Sequence, residues 1–174
     1  FGSMRMFLDR SADFGAWTFG QDVVWEKQNG SGFTADRFRR VHEHVVQWYR
    51  GNWADVWKRP VTTPDATARQ VRRKTSPSHT GFAGDSSYRS FDGGPRLMRS
   101  VIKASNCHGH ALVPTQKPVA IIEPLLAYNL APAGLVLDPT MGSGSTLRAA
   151  AGRGYRGIGI EADEATCEIA ARSL

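Results

Sequence analysis

The chain has 174 residues, of which 41% are hydrophobic, an ordinary share for a globular domain able to bury its own core. No apolar run approaches the roughly 18–20 residues that a bilayer-spanning helix needs, and no signal peptide is visible. Its formal charge is +6, and its two cysteines, Cys107 and Cys167, lack metal-ligand spacing, so reduced thiols in a cytoplasmic protein are expected.

Along the chain, Met4, Phe7 and Leu8 stand at helical spacing and predict a helix from 4 to 13. Residues 19–25 predict a strand, closed by a turn at Gly30-Ser31-Gly32, and residues 43–50, with Val45, Val46, Trp48 and Tyr49, predict a second strand. The stretch that follows, to about Gly109, has no clear period. It is longer than a compact domain leaves structureless, so short elements are expected within it. Residues 118–128 predict a helix with proline in its first turn that buries Ile121, Ile122, Leu125 and Leu126, with a kink at Pro124. A strand at 135–137, a helix at 145–152, a strand at 157–160 and a helix at 164–173 complete an α/β pattern without internal repeats.

Two acids bracket the most informative segment. The run Val136-Leu137-Asp138-Pro139 leads into Thr140-Met141-Gly142-Ser143-Gly144-Ser145-Thr146, and Glu161 ends the next apolar run. This strand–turn–helix–strand order suits a nucleotide-like ligand at the carboxyl edge of a parallel sheet. Gly142 and Gly144 let the backbone turn and approach a ligand, and Ser145 opens the next helix, where backbone N–H groups are free. Glu161 can accept from two ribose hydroxyls. Leu147 occupies the place of a nicotinamide fingerprint's third glycine, and no Gly-Lys-Ser/Thr follows for a P-loop. Asp138 with Pro139 instead suits a ligand with an ammonium group. S-adenosylmethionine has both that group and a ribose.

Charge is unevenly distributed. Between Asp55 and Lys103 stand ten Lys/Arg and four Asp/Glu, while the rest of the chain holds twelve of each sign. The entire excess lies in one Ser-, Thr- and Gly-rich segment, most basic at Arg69-Gln70-Val71-Arg72-Arg73-Lys74, with Arg89 beside Tyr88 and Phe91. Such a mixture suits contact with phosphates and bases.

From Asp138 to Leu174 the chain resembles the cofactor motif of site-specific DNA amino-methyltransferases, which methylate the exocyclic nitrogen of adenine or cytosine. Pro114-Thr115-Gln116-Lys117-Pro118 is similar to the segment preceding that motif in the circularly permuted (beta-type) members. Asp22 to Lys27 and Arg37 to Val45 resemble that family's post-catalytic strands. The resemblance implies an incomplete Rossmann-like S-adenosylmethionine-dependent methyltransferase sheet with an irregular basic insertion. It divides the chain into strands of the catalytic subregion (1–54), a target-recognition region (55–110) and a cofactor subregion (111–174). It implies S-adenosylmethionine as cofactor, with Thr115 and Lys117 lining its methionine end. Double-stranded DNA would be met by Arg69, Arg72, Arg73, Lys74 and Arg89. A homodimer and a cognate restriction endonuclease are further implied partners, in a bacterial or phage setting.

Two positions depart from the pattern: Thr140 where an aromatic residue is usual, and Val113 where histidine is frequent. The catalytic tetrapeptide, Asp/Asn/Ser-Pro-Pro-aromatic, occurs nowhere in these residues, so no catalytic residue is assigned. In the permuted order it would precede Phe1, and Phe1-Gly2-Ser3 reads as the end of a strand. The expectation is a carboxyl-terminal part that is inactive alone. Rival readings are a methyltransferase on RNA, protein or a small molecule, and a non-catalytic DNA-binding remnant. His42-Glu43-His44 and Cys107-His108-Gly109-His110 lack a third ligand or second cluster, so no metal is expected.

Overall fold

The computed structural model describes residues 1–31, 35–73 and 86–174, and these form two compact units, residues 1–59 with 99–174 and residues 60–98. In the first, helix α1 (Met4–Asp9) is followed by a 3-10 turn (Ser11–Phe14) and not by four more helical residues. Ser3 caps α1, its hydroxyl accepting the Met6 N–H at 3.1 Å. Gly2 forms an isolated antiparallel bridge with His44.

Strand β1 (Thr18–Ser31) runs beyond the expected end at Trp25 into the expected turn, whose Gly32 lies outside the described residues. It pairs antiparallel with β2 (Arg40–Tyr49) from Thr18↔Tyr49 to Ser31↔Arg40, with register shifts between Phe19 and Gln21 and between Glu26 and Ser31. An added Cβ on Gly30 would come within 2.7 Å of the Arg39 stem, so this glycine serves a close approach within the strand. Strand β7 (Val101–Lys103) adds parallel to β1, giving the order β2-β1-β7.

Helix α2 (Val119–Asn129) begins after Pro118 and continues through Pro124. It buries Ile121 and Ile122, whereas Leu125 and Leu126 are half-buried. With Trp25, Ala104 and Ala149 these isoleucines form the core. Trp25 is held there by its indole N–H, which donates to the Ala104 carbonyl at 2.8 Å.

Strand β8 (Leu135–Asp138), helix α3 (Ser145–Ala151) and parallel strand β9 (Arg156–Gly159) form the strand–helix–strand unit, and α4 (Glu164–Ser173) follows under an Asp163 cap. Leu135, Leu137 and Ile158 are at least half exposed, so helices do not cover both faces of this two-stranded sheet. Parallel sheets are ordinarily covered on both sides, and this one is incomplete, as the sequence implied.

The second unit is built from two short pairings. Strand β3 (Thr62–Thr63) pairs with β6 (Arg96–Leu97), and β4 (Arg69–Arg73) pairs with β5 (Ser86–Ser90), all antiparallel. A turn at Phe91–Gly94, closed by a 3.0 Å bond, lies between them. There the Asp92 carboxylate accepts the Ala68 N–H at 2.7 Å. These strands lie within the stretch that carries no period in the sequence. Elements of two to five residues are too short to print one.

Candidate functional site

Strands β8 and β9 end level, Asp138 opposite Gly159, and the chain leaves both at the same edge. The Ile160 N–H donates to the Asp138 carbonyl at 2.8 Å, and the Met141 N–H to the Ile160 carbonyl at 2.9 Å. The glycine turn is therefore laced to the tip of the neighbouring strand. Glu161 completes the lacing: Oε2 accepts the Gly142 N–H at 2.9 Å and Oε1 the Asp163 N–H at 3.1 Å. Asp138 Oδ1 accepts the Thr140 N–H at 3.1 Å across Pro139. Both acids are half-buried.

Gly142 and Gly144 have φ of +51° and +75°, the left-handed region that glycine enters without a Cβ clash. An added Cβ on Gly142 would meet only Val113 Cγ2, at 3.9 Å, so backbone stays open on that side. At Gly144 it would meet Ala170 Cβ at 3.4 Å, which fits α4 against the turn. Ser145 is buried, and its hydroxyl lies 3.3 Å from that of Ser143 and accepts from Arg148 at 3.3 Å. That hydroxyl is thus committed to the interior.

Val113, the neighbour an added Cβ at Gly142 would approach, leads into the segment Pro114–Pro118. Thr115 adopts φ of +66°, a strained value for a β-branched residue. Its carbonyl accepts from Lys117 Nζ at 3.2 Å. Lys117 also pairs with Glu43 Oε2 at 3.4 Å, while Lys27 donates to Glu43 Oε1. The site thus gains Glu43, which the sequence reading treats as part of a structural His-Glu-His run. Trp25 stands opposite Glu43, so Trp25, Lys27 and Glu43 share one face, and Lys27 Nζ lies 4.7 Å from the Trp25 ring centroid. Only the cross-strand register reveals this, and no sequence spacing reports it.

Burial pushes the Glu43 carboxyl up, but the Lys27 hydrogen bond and the Lys117 charge outweigh it and hold the group below the usual carboxylate range. The Lys117–Glu43 ion pair ties the 113–117 segment to the β1–β2 pair, and the open side of Gly142 lies toward Val113.

The basic residues lie in the other unit. Arg69 and Arg72 are exposed on β4 and Arg89 on β5; Arg73 is placed by its backbone at the end of β4, and Lys74 lies outside the described residues. Among the described residues no group of three or more His, Cys, Asp or Glu is placed to hold a metal ion. No helix among them is long and apolar enough to cross a membrane.

A family model described as DNA methylase matches residues 3–172. YubD of Escherichia coli (strain K12), which is named a methylase, is 52% identical over 48 residues, 28% of this chain and 21% of YubD. The crystal structure of the M1.HpyAVI–SAM complex matches with a TM-score of 0.61 at 24% identity, over 99% of this chain and 70% of that one. The cytosine-N4-specific PvuII DNA methyltransferase matches at 0.60 and 14% identity, over 96% and 55%. TTHA0409 of Thermus thermophilus, complexed with S-adenosyl-L-methionine, matches at 0.52 and 19%, over 95% and 56%. These likenesses establish the fold, a Rossmann-like methyltransferase sheet, and this chain spans 55–70% of the structures' lengths. With the family model spanning nearly every residue, the chain belongs to the DNA methylase family.

Proposed function

We propose that the chain is the cofactor-binding and target-recognition part of an enzyme that transfers a methyl group from S-adenosyl-L-methionine to an exocyclic amine of DNA. The base is read as adenine, with cytosine as the alternative. The observation that carries the reading is the pair of acids at adjacent strand tips, Asp138 and Glu161, with an open glycine backbone laced between them.

The residues present fit such a cofactor. Asp138 and Pro139 would meet the ammonium end, and Glu161, already oriented by two amides, keeps lone pairs for ribose hydroxyls. Gly142, Gly144 and Ser145 shape the turn. Lys117, set by Glu43 and by strained Thr115, would face the carboxylate end. S-adenosylmethionine supplies the methyl group, carried on a sulfonium. The chain's contribution is position, since an aromatic amine with a delocalised lone pair reacts well only when held in line.

Arg69, Arg72, Arg73, Lys74 and Arg89 would meet double-stranded DNA in the cytoplasm. A second copy of the chain and a cognate endonuclease remain proposed partners.

Calorimetry of the 174-residue chain with S-adenosylmethionine should give a binding isotherm, and tritiated methyl should stay off DNA. No heat at millimolar cofactor sinks the cofactor reading. Label in DNA, identified as N6-methyladenine or N4-methylcytosine, sinks the inactivity expected of the chain and names the base.

A further inference from the structure

The β4–β5 ribbon has two chemically different faces, and its register decides them. Gln70 stands opposite Arg89 and Arg72 opposite Ser87, so these four side chains share one face. Val71 and Ser90 belong to the other. There the Ser90 hydroxyl donates to the Thr67 carbonyl at 2.6 Å and Val71 is half-buried, beside exposed Arg69 and Tyr88. Gln70, Arg72, Ser87 and Arg89 are all exposed, and none is acidic. Just past the strand end, the Phe91 ring centroid lies 5.2 Å from the Arg89 guanidinium and stiffens it.

We propose that this face reads base edges in the major groove of double-stranded DNA, with Gln70, Arg72 and Arg89 as specificity-determining residues. The inference rests on the DNA reading above and adds which side chains see sequence. The major groove of B-form DNA admits a two-stranded ribbon, whereas that of A-form RNA is too narrow. A glutamine amide places a donor and an acceptor side by side, matching adenine N6 and N7. A guanidinium offers two parallel donors to guanine O6 and N7. Residues two apart on a strand stand about 6.8 Å apart, about two base-pair steps of about 3.4 Å. The Gln70–Arg89 pair and Arg72 therefore address positions two steps apart. Arg69, on the opposite face, adds charge without reading sequence.

The test is selection of a preferred duplex from a randomised pool by the 174-residue chain, followed by anisotropy titrations with single-base variants of that duplex. Gln70→Ala should flatten discrimination at one A·T position by on the order of 5- to 150-fold. Arg72→Lys keeps the charge but not the fork, so it should flatten one G·C position by a larger factor than it weakens binding to mixed-sequence DNA. Arg69→Ala should weaken all duplexes alike. Unchanged discrimination in Gln70→Ala and Arg72→Lys, or a wild-type chain that binds every duplex equally, overturns the ribbon reading and leaves DNA binding standing. A wild-type chain that binds no duplex at low salt removes the DNA reading and this inference with it.

Discussion

Glu161 accepts the Gly142 N–H at 2.9 Å, tying the glycine turn after β8 to the residue just beyond β9. The same carboxylate accepts the Asp163 N–H at 3.1 Å, so one side chain orders both segments that leave the parallel pair. Removing it should therefore cost ligand affinity in two ways, by lost contact and by a loosened turn.

Glu161→Ala should weaken S-adenosylmethionine binding tenfold or more, as should Asp138→Ala, each equivalent to about one or two charged hydrogen bonds. Glu161→Gln, which keeps one acceptor for an amide, should fall between wild type and alanine. Calorimetry gives the affinities. Wild-type values for both alanine variants would remove the ligand assignment.

Gly144→Ala forces a Cβ onto φ of +75°, where the new methyl stands 3.4 Å from Ala170, within ordinary contact. Backbone strain should dominate, destabilising the fold by about 1–2 kcal/mol. Gly154→Ala, with φ of +72° and nothing near the added atom, serves as the comparison. Urea midpoints should shift alike in the two, and a much larger loss at 144 would mean that α4 is displaced.

Trp25→Phe deletes the indole N–H that satisfies the Ala104 carbonyl and leaves a void in the core. Stability should fall by about 2–4 kcal/mol, from the unpaired carbonyl plus lost packing. A loss under about 1 kcal/mol in chemical denaturation would show that water or a shifted strand replaces the bond.

The Glu43 carboxyl is held below its ordinary range by Lys27 and Lys117, against burial. A depressed folded-state pKa gives stability that is fully present above the unfolded value and is lost as pH falls through the folded one. Wild-type melting temperature should accordingly drop on acidification across the carboxylate range, while Glu43→Gln should start lower and respond less. At neutral pH the substitution leaves two lysines facing each other. Its cost should lie between the ~1 kcal/mol of an exposed pair and the ~3–5 kcal/mol of a buried one. Parallel melting curves for the two proteins across that range would show that Glu43 contributes no linkage.

The sequence by itself determined the strand–turn–helix–strand unit, its two acids and its two glycines. Those signals are local: apolar runs, a glycine pair and the residue ending each run are contiguous in the chain. It also located the excess positive charge, because composition needs no fold. It overran α1, ended β1 at Trp25 and left the stretch after Arg50, to about Gly109, without placed elements, since helix ends and short strands are settled by partners distant in sequence. Only the tertiary structure decided that Trp25, Lys27 and Glu43 share one face and that Gln70, Arg72, Ser87 and Arg89 share another. The physical reason is common to both. Strand register sets which side chains share a face, and a slip of one residue would turn every one of them over.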